Sequence, residues 1–248
     1  MADHRVKAQL FDQFARIGQA LSSGRRVEIV DVLANGERSV EGVAEQVGLS
    51  VANASRHLQI LRDAGLVTSR REGTFTRYRL AAPEVYEFWA ALRSLANKRL
   101  AEVGRLIEAY VGSAHELEPV SRDELYRRLS SGQELFLIDV RPAEEFAAGH
   151  VPGAVSIPLE ELEQRLAQVP RDQEVVAYCR GPYCAFAPEA VAHLRARGYR
   201  ARQLEDGLPE WAAAGLPVEV SAGAGPGRGG RPARRSHPPA DARPARPQ

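Results

Sequence analysis

SVEGVAEQVGLSVANASRHLQILRDAGLVTSRREGTFTRYRL, residues 39–80, is the stretch on which the fold of this chain turns. Ser39 offers an N-cap, and Val40, Val43, Ala44 and Val47 recur at helical spacing until Gly48 ends the run. Ser50 is a second cap, followed by a helix that turns Ala54, Leu58 and Leu61 inward and stops at Gly65. Residues 66–70 and 76–80 then read as two short strands, with Arg71, Glu72, Gly73 and Thr74 turning the chain between them. Two short helices joined by a glycine-containing turn make a helix-turn-helix, whose second helix enters the DNA major groove. A hairpin directly after it is a wing, and its arginines can reach phosphate or the minor groove.

The side chains opposite the apolar stripe of the second helix are the candidate base readers: Val51, Ala52, Ser55, Arg56 and Gln59. Arg56 suits guanine, Gln59 adenine, and Val51 or Ala52 a thymine methyl. From the wing, Arg70, Arg71 and Arg77 join the candidate DNA-binding set. Arg62 reads as a capping or salt-bridging residue, and His57, beside Leu58, as a partly buried, hydrogen-bonded histidine.

Upstream, Leu10, Phe14, Ile17 and Leu21 recur at helical spacing, and Val27, Ile29, Val30 and Leu33 form the next apolar face, ended by Asn35-Gly36. Downstream, residues 84–110 read as one long helix carrying Val85, Phe88, Trp89, Leu92, Leu95, Leu100, Val103 and Leu106. With SRHLQILRDAGLV at its centre, the region 10–105 resembles the winged helix-turn-helix of the arsenic-repressor family of bacterial regulators. That resemblance implies a homodimer on a palindromic double-stranded DNA operator, repressing until an inducer binds. It places the dimer interface on helices 8–22 and 84–110. Thiolate-binding members carry closely spaced cysteines at the start of the recognition helix, where this chain has Ser50, Val51, Ala52, Asn53 and Ala54. No thiolate metal site is therefore expected there. Helix 84–110 has no histidine, and His115 with Glu118 makes a weak ligand pair, so no metal and no cofactor is expected.

The charge agrees with this division. Of 248 residues, 33 are Lys or Arg and 32 Asp or Glu, a formal net charge of +1. That neutrality is an average: residues 1–110 carry +3, residues 111–220 carry −7, and the tail from Ser221 carries +5. Residues 50–80 alone hold six arginines against Asp63 and Glu72, a local excess suited to nucleic acid. A hydrophobic fraction of 44% with 26% charged residues describes a globular chain and excludes a disordered or fibrous one. No run of about eighteen apolar residues exists, so no membrane span is expected. The N-terminus has no apolar core before a small-residue cleavage site, so a cytoplasmic protein is expected.

Beyond residue 118 the pattern changes to short apolar runs at 135–138, 155–157, 175–178 and 201–204. Between them lie helical stretches near 121–130, 143–148, 160–168, 184–197 and 208–214, the alternation of an α/β domain with a parallel sheet. Cys179 follows the 175–178 strand directly and opens Cys-Arg-Gly-Pro-Tyr-Cys. Chemistry in open parallel sheets sits at such strand ends. Backbone N–H groups in a tight loop feeding a helix, with Arg180 beside them, are expected to lower the thiol pKa of Cys179.

LIDVRPAEEFAAGHVPGAVSIP (137–158), YCRGPYC (178–184) and LEDGLPEWAAAGLPVE (204–219) together resemble a rhodanese, or sulfurtransferase, domain. The resemblance implies that Cys179 accepts a sulfane sulfur as a persulfide, from thiosulfate, a polysulfide or a small persulfide. It implies loop support from Asp139 and Arg141. A cysteine phosphatase loop would need Arg six residues after the cysteine, and position 185 is Ala. Cys184 has two readings of equal weight: a thiol that attacks an oxidised Cys179 to close a disulfide, or a buried apolar cysteine.

The expected fold class is multidomain, α+β and α/β: an N-terminal winged helix-turn-helix followed by a rhodanese-like parallel-sheet α/β domain. The expected boundaries are 1–110 for DNA binding and dimerisation, 111–117 linker, 118–220 rhodanese-like domain, and 221–248 disordered basic tail. Two functions follow. In one, a DNA-binding repressor responds to sulfane sulfur or redox state at Cys179, with the signal passing through residues 111–120 into helix 84–110. In the other, a sulfurtransferase acts while DNA binding ignores Cys179. A third, in which the winged domain is only a dimerisation scaffold, conflicts with the arginine-rich wing.

Overall fold

The computed structural model describes residues 4–111 and 118–221. The linker at 112–117, which includes His115, and the tail at 222–248 lie outside the described residues.

The N-terminal lobe is built on caps. Helix α1 (His4–Ala20) leads into α2 (Gly24–Ala34), and β1 (Arg38–Ser39) leads into α3 (Val40–Val47). Ser39 Oγ accepts from Gly42 N at 3.2 Å, and Gly48 closes α3 in the left-handed conformation at φ +63°, where a β-carbon is disfavoured. Ser50 caps α4 (Val51–Asp63) by accepting from Asn53 N at 3.3 Å. Val43, Ala44, Val47, Ala54, Leu58 and Leu61 meet Ile29, Val30 and Leu33 of α2 in one buried cluster. At roughly 1.5–3 kcal/mol per fully buried aliphatic side chain, this cluster orients α4.

The wing is β2 (Val67–Glu72) and β3 (Phe75–Leu80), antiparallel, with β1 on the far side of β3. The turn is narrower than the sequence reading of 71–74: only Gly73, at φ +61°, and Thr74 lie outside the ladder. Register sets Arg70 opposite Arg77, a like-charge pair that costs stability unless it is compensated. Glu72 answers both arginines, and Glu37 takes Arg70 at 2.8 Å.

The expected single helix over 84–110 is broken. α5 (Pro83–Arg99) and α6 (Ala101–Val111) are separated at Leu100, which has φ −113° and ψ 99°. Beyond the break, Val103, Leu106, Ile107 and Tyr110 line one open groove with Trp89, Leu92 and Ala96. Val85 and Trp89 pack on the lobe's core, whereas Phe88, Leu95, Leu100 and Leu106 stay exposed.

The C-terminal lobe runs α7 (Arg122–Ser130), β4 (Phe136–Asp139), α8 (Ala143–Ala148), β5 (Val155–Ser156), α9 (Leu162–Arg165), β6 (Val175–Tyr178), α10 (Phe186–Ala196), β7 (Ala201–Gln203) and α11 (Leu208–Ala213). The four strands are parallel in the order β5-β4-β6-β7, and Val120 bridges Leu204 beyond β7. β4 begins at Phe136, one residue later than the apolar run suggests. Alternate residues enter opposite layers, as the period of a strand requires: Ile138, Val175 and Ala177 on one face, Leu137, Val176 and Tyr178 on the other. Burial on both faces explains why these strands read as unbroken apolar runs. The fold is thus a winged helix-turn-helix joined to a parallel α/β lobe, and the C-terminal end of β6 faces α5.

Candidate functional site

The cysteine loop starts where β6 stops. Cys179 is buried and Cys184 partly so, and both are free thiols. Gly181, at φ +143°, and the bond from Cys184 N to Gly181 O at 3.0 Å fold the loop back on itself. The Cys179 thiol donates to two backbone carbonyls of the loop, Gly181 O at 3.8 Å and Cys184 O at 3.6 Å. Backbone N–H groups of Gly181 and Ala187 act on the Cys179 sulfur, and those of Arg180 and Phe186 on Cys184. Phe186 and Ala187 belong to the first turn of α10.

The lowered pKa falls on the other cysteine from the one expected. Burial, together with the neighbouring Cys184, raises the Cys179 thiol well above the ordinary range. The neighbouring Cys179 thiol, helped by nearby N–H groups and Arg180, lowers Cys184 to about 7. Of the two thiols, Cys184 is the one whose surroundings favour the thiolate.

Arg180 lies beside the thiols but is bound to a carboxylate. Its Nε and Nη2 reach Glu145 at 2.6–3.1 Å. Asp139 and Arg141 form a fully buried pair: Arg141 Nη2 to Asp139 Oδ2 is 2.6 Å, and the same nitrogen donates to Gly149 O at 2.7 Å. They hold the strand end and the 139–149 segment next to the loop.

Sequence reasoning missed Glu145 and Glu210. Glu145 stands four residues after Arg141, the one local hint, and it is 1% exposed. Besides Arg180 it meets Arg38 of β1 at 3.1 Å and Gln46 of α3 at 3.5 Å, both in the N-terminal lobe. Glu210 accepts from Gly207 N at 3.0 Å and pairs with Arg93 of α5 at 2.7 Å. Gly181 is pressed against it: a β-carbon there would lie 3.3 Å from both Glu210 carboxylate oxygens. Gly207 is tighter still, because its β-carbon would lie 2.3 Å from Gly181 N.

Between the loop and the helices α5 and α6 lies a cleft of about 820 Å³. Cys179, Cys184 and Tyr183 line one wall, and Arg93, Asn97 and Lys98 the other. Tyr183 and Asn97 are hydrogen-bonded across it, at 2.9 and 3.1 Å.

On the candidate DNA face, Val51, Ala52, Ser55 and Arg56 are exposed on one side of α4. Gln59 is partly buried and engaged by Asp63 at 2.5 Å and Arg62 at 2.6 Å. In the wing, Arg70 and Arg77 carry carboxylate partners, whereas Arg71 is exposed. His57 differs from expectation: its buried Nδ1 has no hydrogen-bond partner among the described residues, and desolvation with Arg26 and Arg56 nearby lowers its pKa. Among the described residues, no three His, Cys, Asp or Glu side chains cluster as metal ligands, and no helix is long and apolar enough to cross a membrane.

Comparison with known proteins divides along the same line. Residues 23–69 match the family model of bacterial regulatory proteins of the arsR family, and residues 121–214 match the rhodanese-like domain. The HTH-type transcriptional regulator Rv0324 of Mycobacterium tuberculosis is 47% identical over 221 residues, covering 89% of this chain and 96% of that protein. A sulfurtransferase of Allochromatium vinosum is 32% identical over 105 residues, covering 42% of this chain and 96% of its own length. The solution structure of the homodimeric winged helix-turn-helix DNA-binding domain of Mb0332 from Mycobacterium bovis has 44% identity and a TM-score of 0.38, covering 41% of this chain and 93% of that one.

Proposed function

The chain belongs to the HTH-type transcriptional regulators with an arsR-family DNA-binding region and a rhodanese-like domain, and from that membership we propose that it is a dimeric, cytoplasmic repressor whose operator binding responds to sulfane sulfur at Cys179. The observation that carries this reading is the position of the thiol pair. Both cysteines line a cleft whose other wall is α5 and α6 of the DNA-reading lobe, which supports a route from the loop to those helices.

The chemistry uses the two thiols of the loop. As Cys179 attacks the sulfane sulfur of a persulfide R–S–SH, its proton passes to the Cys184 thiolate and on to the departing R–S⁻. A Cys179–sulfur bond forms, the donor's S–S bond breaks, and R–SH leaves. The Cys184 thiolate then attacks Cys179 Sγ, closing a disulfide and expelling HS⁻. Two electrons pass from the two cysteines to the sulfane sulfur, and the single negative charge departs with sulfide. A cleft of about 820 Å³ accommodates an organic persulfide or polysulfide as readily as thiosulfate.

Dimerisation is assigned to α1 and α5–α6. Phe14 of α1 is 61% exposed, Leu10 and Phe11 lie beside it, and Leu95, Leu100 and Leu106 are equally bare. Apolar surface of this extent marks an interface. Arg56 and the exposed edge of α4 are assigned to base contact and Arg71 to phosphate.

A second reading, a sulfurtransferase whose DNA binding ignores Cys179, is favoured by the complete cysteine loop. One experiment separates them. Operator affinity is measured before and after polysulfide, for the wild type and for Cys179→Ser. The sensor reading requires a change in the wild type that a thiol reductant reverses and that Cys179→Ser lacks. Unchanged wild-type affinity, with sulfur transfer from thiosulfate to cyanide intact, selects the second reading.

A further inference from the structure

Resting on the sensor reading above, we propose that Glu145 is the residue through which the helix-turn-helix lobe reads the charge of the cysteine loop, with Arg38 as its contact on the DNA-binding side. The geometry is that of a shared carboxylate. Arg180, from the loop, holds Glu145 through two nitrogens at 2.6–3.1 Å. Arg38, from β1, reaches the same carboxylate oxygen at 3.1 Å, and Arg141 Nη1 stands 3.9 Å away. The carboxylate itself is out of water: Glu145 and Arg141 are buried completely and Arg38 nearly so, while Arg180 is partly exposed.

Among the described residues Arg38, Arg141 and Arg180 pair directly with Asp139 and Glu145, and Asp31 is within electrostatic reach of Arg180. Arg180 also interacts with the cysteine thiolate. When the disulfide closes, that negative charge leaves as HS⁻ and Arg180 loses one of its anionic neighbours. Arg180, no longer shared with a thiolate, then competes more strongly for Glu145.

The contact that yields is the one with Arg38. Although Arg38 Nη2 is within 3.1 Å of Glu145, it is a buried nitrogen with no well-directed hydrogen bond among the described residues. Arg180 is held in the bidentate fork geometry, which is the stronger bond. What Arg38 moves is the helix-turn-helix itself. It immediately precedes Ser39, the N-cap of α3, and it pairs with Tyr78 of the wing strand β3. Loss of its anchor therefore acts on the entry to α3 and on the wing together. This contact bypasses the linker at 112–117.

The test uses the full-length protein, sodium tetrasulfide as sulfur source, and a DNA duplex that the protein selects from a random-sequence pool. Two quantities are read for each variant: the state of Cys179 and Cys184 by mass spectrometry, and duplex affinity before and after treatment. The wild type is expected to change affinity by roughly 5–150-fold, the usual range of coupling between two sites. Arg38→Gln is expected to load sulfur at Cys179 as the wild type does, while its affinity change shrinks to about twofold or less. Arg93→Gln, which cuts the ion pair with Glu210 between the lobes, is expected to keep more of the response. An Arg38→Gln response equal to that of the wild type overturns the relay and leaves the sensor reading standing. A wild type that loads sulfur yet keeps its affinity overturns the sensor reading, and the relay with it. Should Arg38→Gln fail to fold, amide exchange in the wild type decides: residues 38–42 must exchange faster after loading, and unchanged protection there overturns the relay.

Discussion

Arg38 Nη2 lies 3.1 Å from Glu145 Oε1, with the two side chains 9% and 1% exposed, although one belongs to the DNA-reading lobe and the other to the α/β lobe. A carboxylate so buried is tolerated because guanidiniums surround it, and its removal leaves them unpaired. Glu145→Gln is expected to destabilise the protein by about 3–5 kcal/mol. Glu144→Gln, next to it and exposed, should stay within about 0.5 kcal/mol of the wild type. Urea unfolding of the two variants checks this, and equal midpoints would refute it.

The thiol pair should titrate in two widely separated steps. Cys184 is lowered to about 7 and Cys179 is raised by burial and by its neighbour. The thiolate is the reactive form, so alkylation of one cysteine per chain should rise with pH to a midpoint near 7, with the second reacting only at much higher pH. Peptide mapping should find the first label on Cys184. Cys179→Ala removes the neighbouring thiol that lowers Cys184, so the remaining thiol's midpoint should move upward.

Gly207 is required for contact and not for flexibility. A β-carbon there would lie 2.3 Å from Gly181 N and 2.4 Å from the Arg180 carbonyl carbon, both backbone atoms that cannot swing aside. Gly207→Ala is expected to push α11 off the cysteine loop, at a cost of roughly 1–3 kcal/mol. Sulfur transfer from thiosulfate to cyanide should fall at least tenfold, because reactivity depends on loop placement to within about 1 Å. Undiminished transfer would show that the loop does not depend on this packing.

On the DNA face, the arginines should not be equivalent. Arg56→Ala is expected to weaken operator binding by about 1–3 kcal/mol and to relax preference at one base position. Arg71→Ala should weaken all sequences alike and reduce the salt slope by about one. Arg70 is already neutralised by Glu37 at 2.8 Å, so Arg70→Ala should cost less than Arg71→Ala. Anisotropy titrations at several salt concentrations distinguish the three.

Phe14→Glu on the exposed face of α1 should dissociate the proposed dimer without unfolding the lobe, since Phe14 is 61% exposed. Sedimentation of this variant as a dimer would place the interface elsewhere.

Much of the fold was legible because its signals are short-range. Ser39, Gly48 and Ser50 act on the residues beside them, and the inward faces of α3 and α4 follow from a period of 3.6. The runs at 135–138 and 175–178 were legible as buried strands for the same reason. The break at Leu100 was not, because neither Pro nor Gly marks it; it arises where α6 turns back over Trp89 and Leu92. Glu145 and Glu210 were also illegible, since a buried carboxylate depends on guanidiniums remote along the chain. Arg38 is more than a hundred positions from Glu145, and Arg93 more than a hundred from Glu210.

The residues alone thus decided most of the elements, that there are two kinds of domain, and that both cysteines share one loop. Periodicity, caps and turn residues work over a handful of positions, and that is enough for these conclusions. Tertiary structure decided the electrostatics. It made Cys184 the more acidic thiol, committed Arg70 and Arg77 to carboxylates, and joined Arg38, Glu145 and Arg180 into one cluster. Coulomb energy depends on distance through space and on how much water lies between the charges, and neither is written in sequence order.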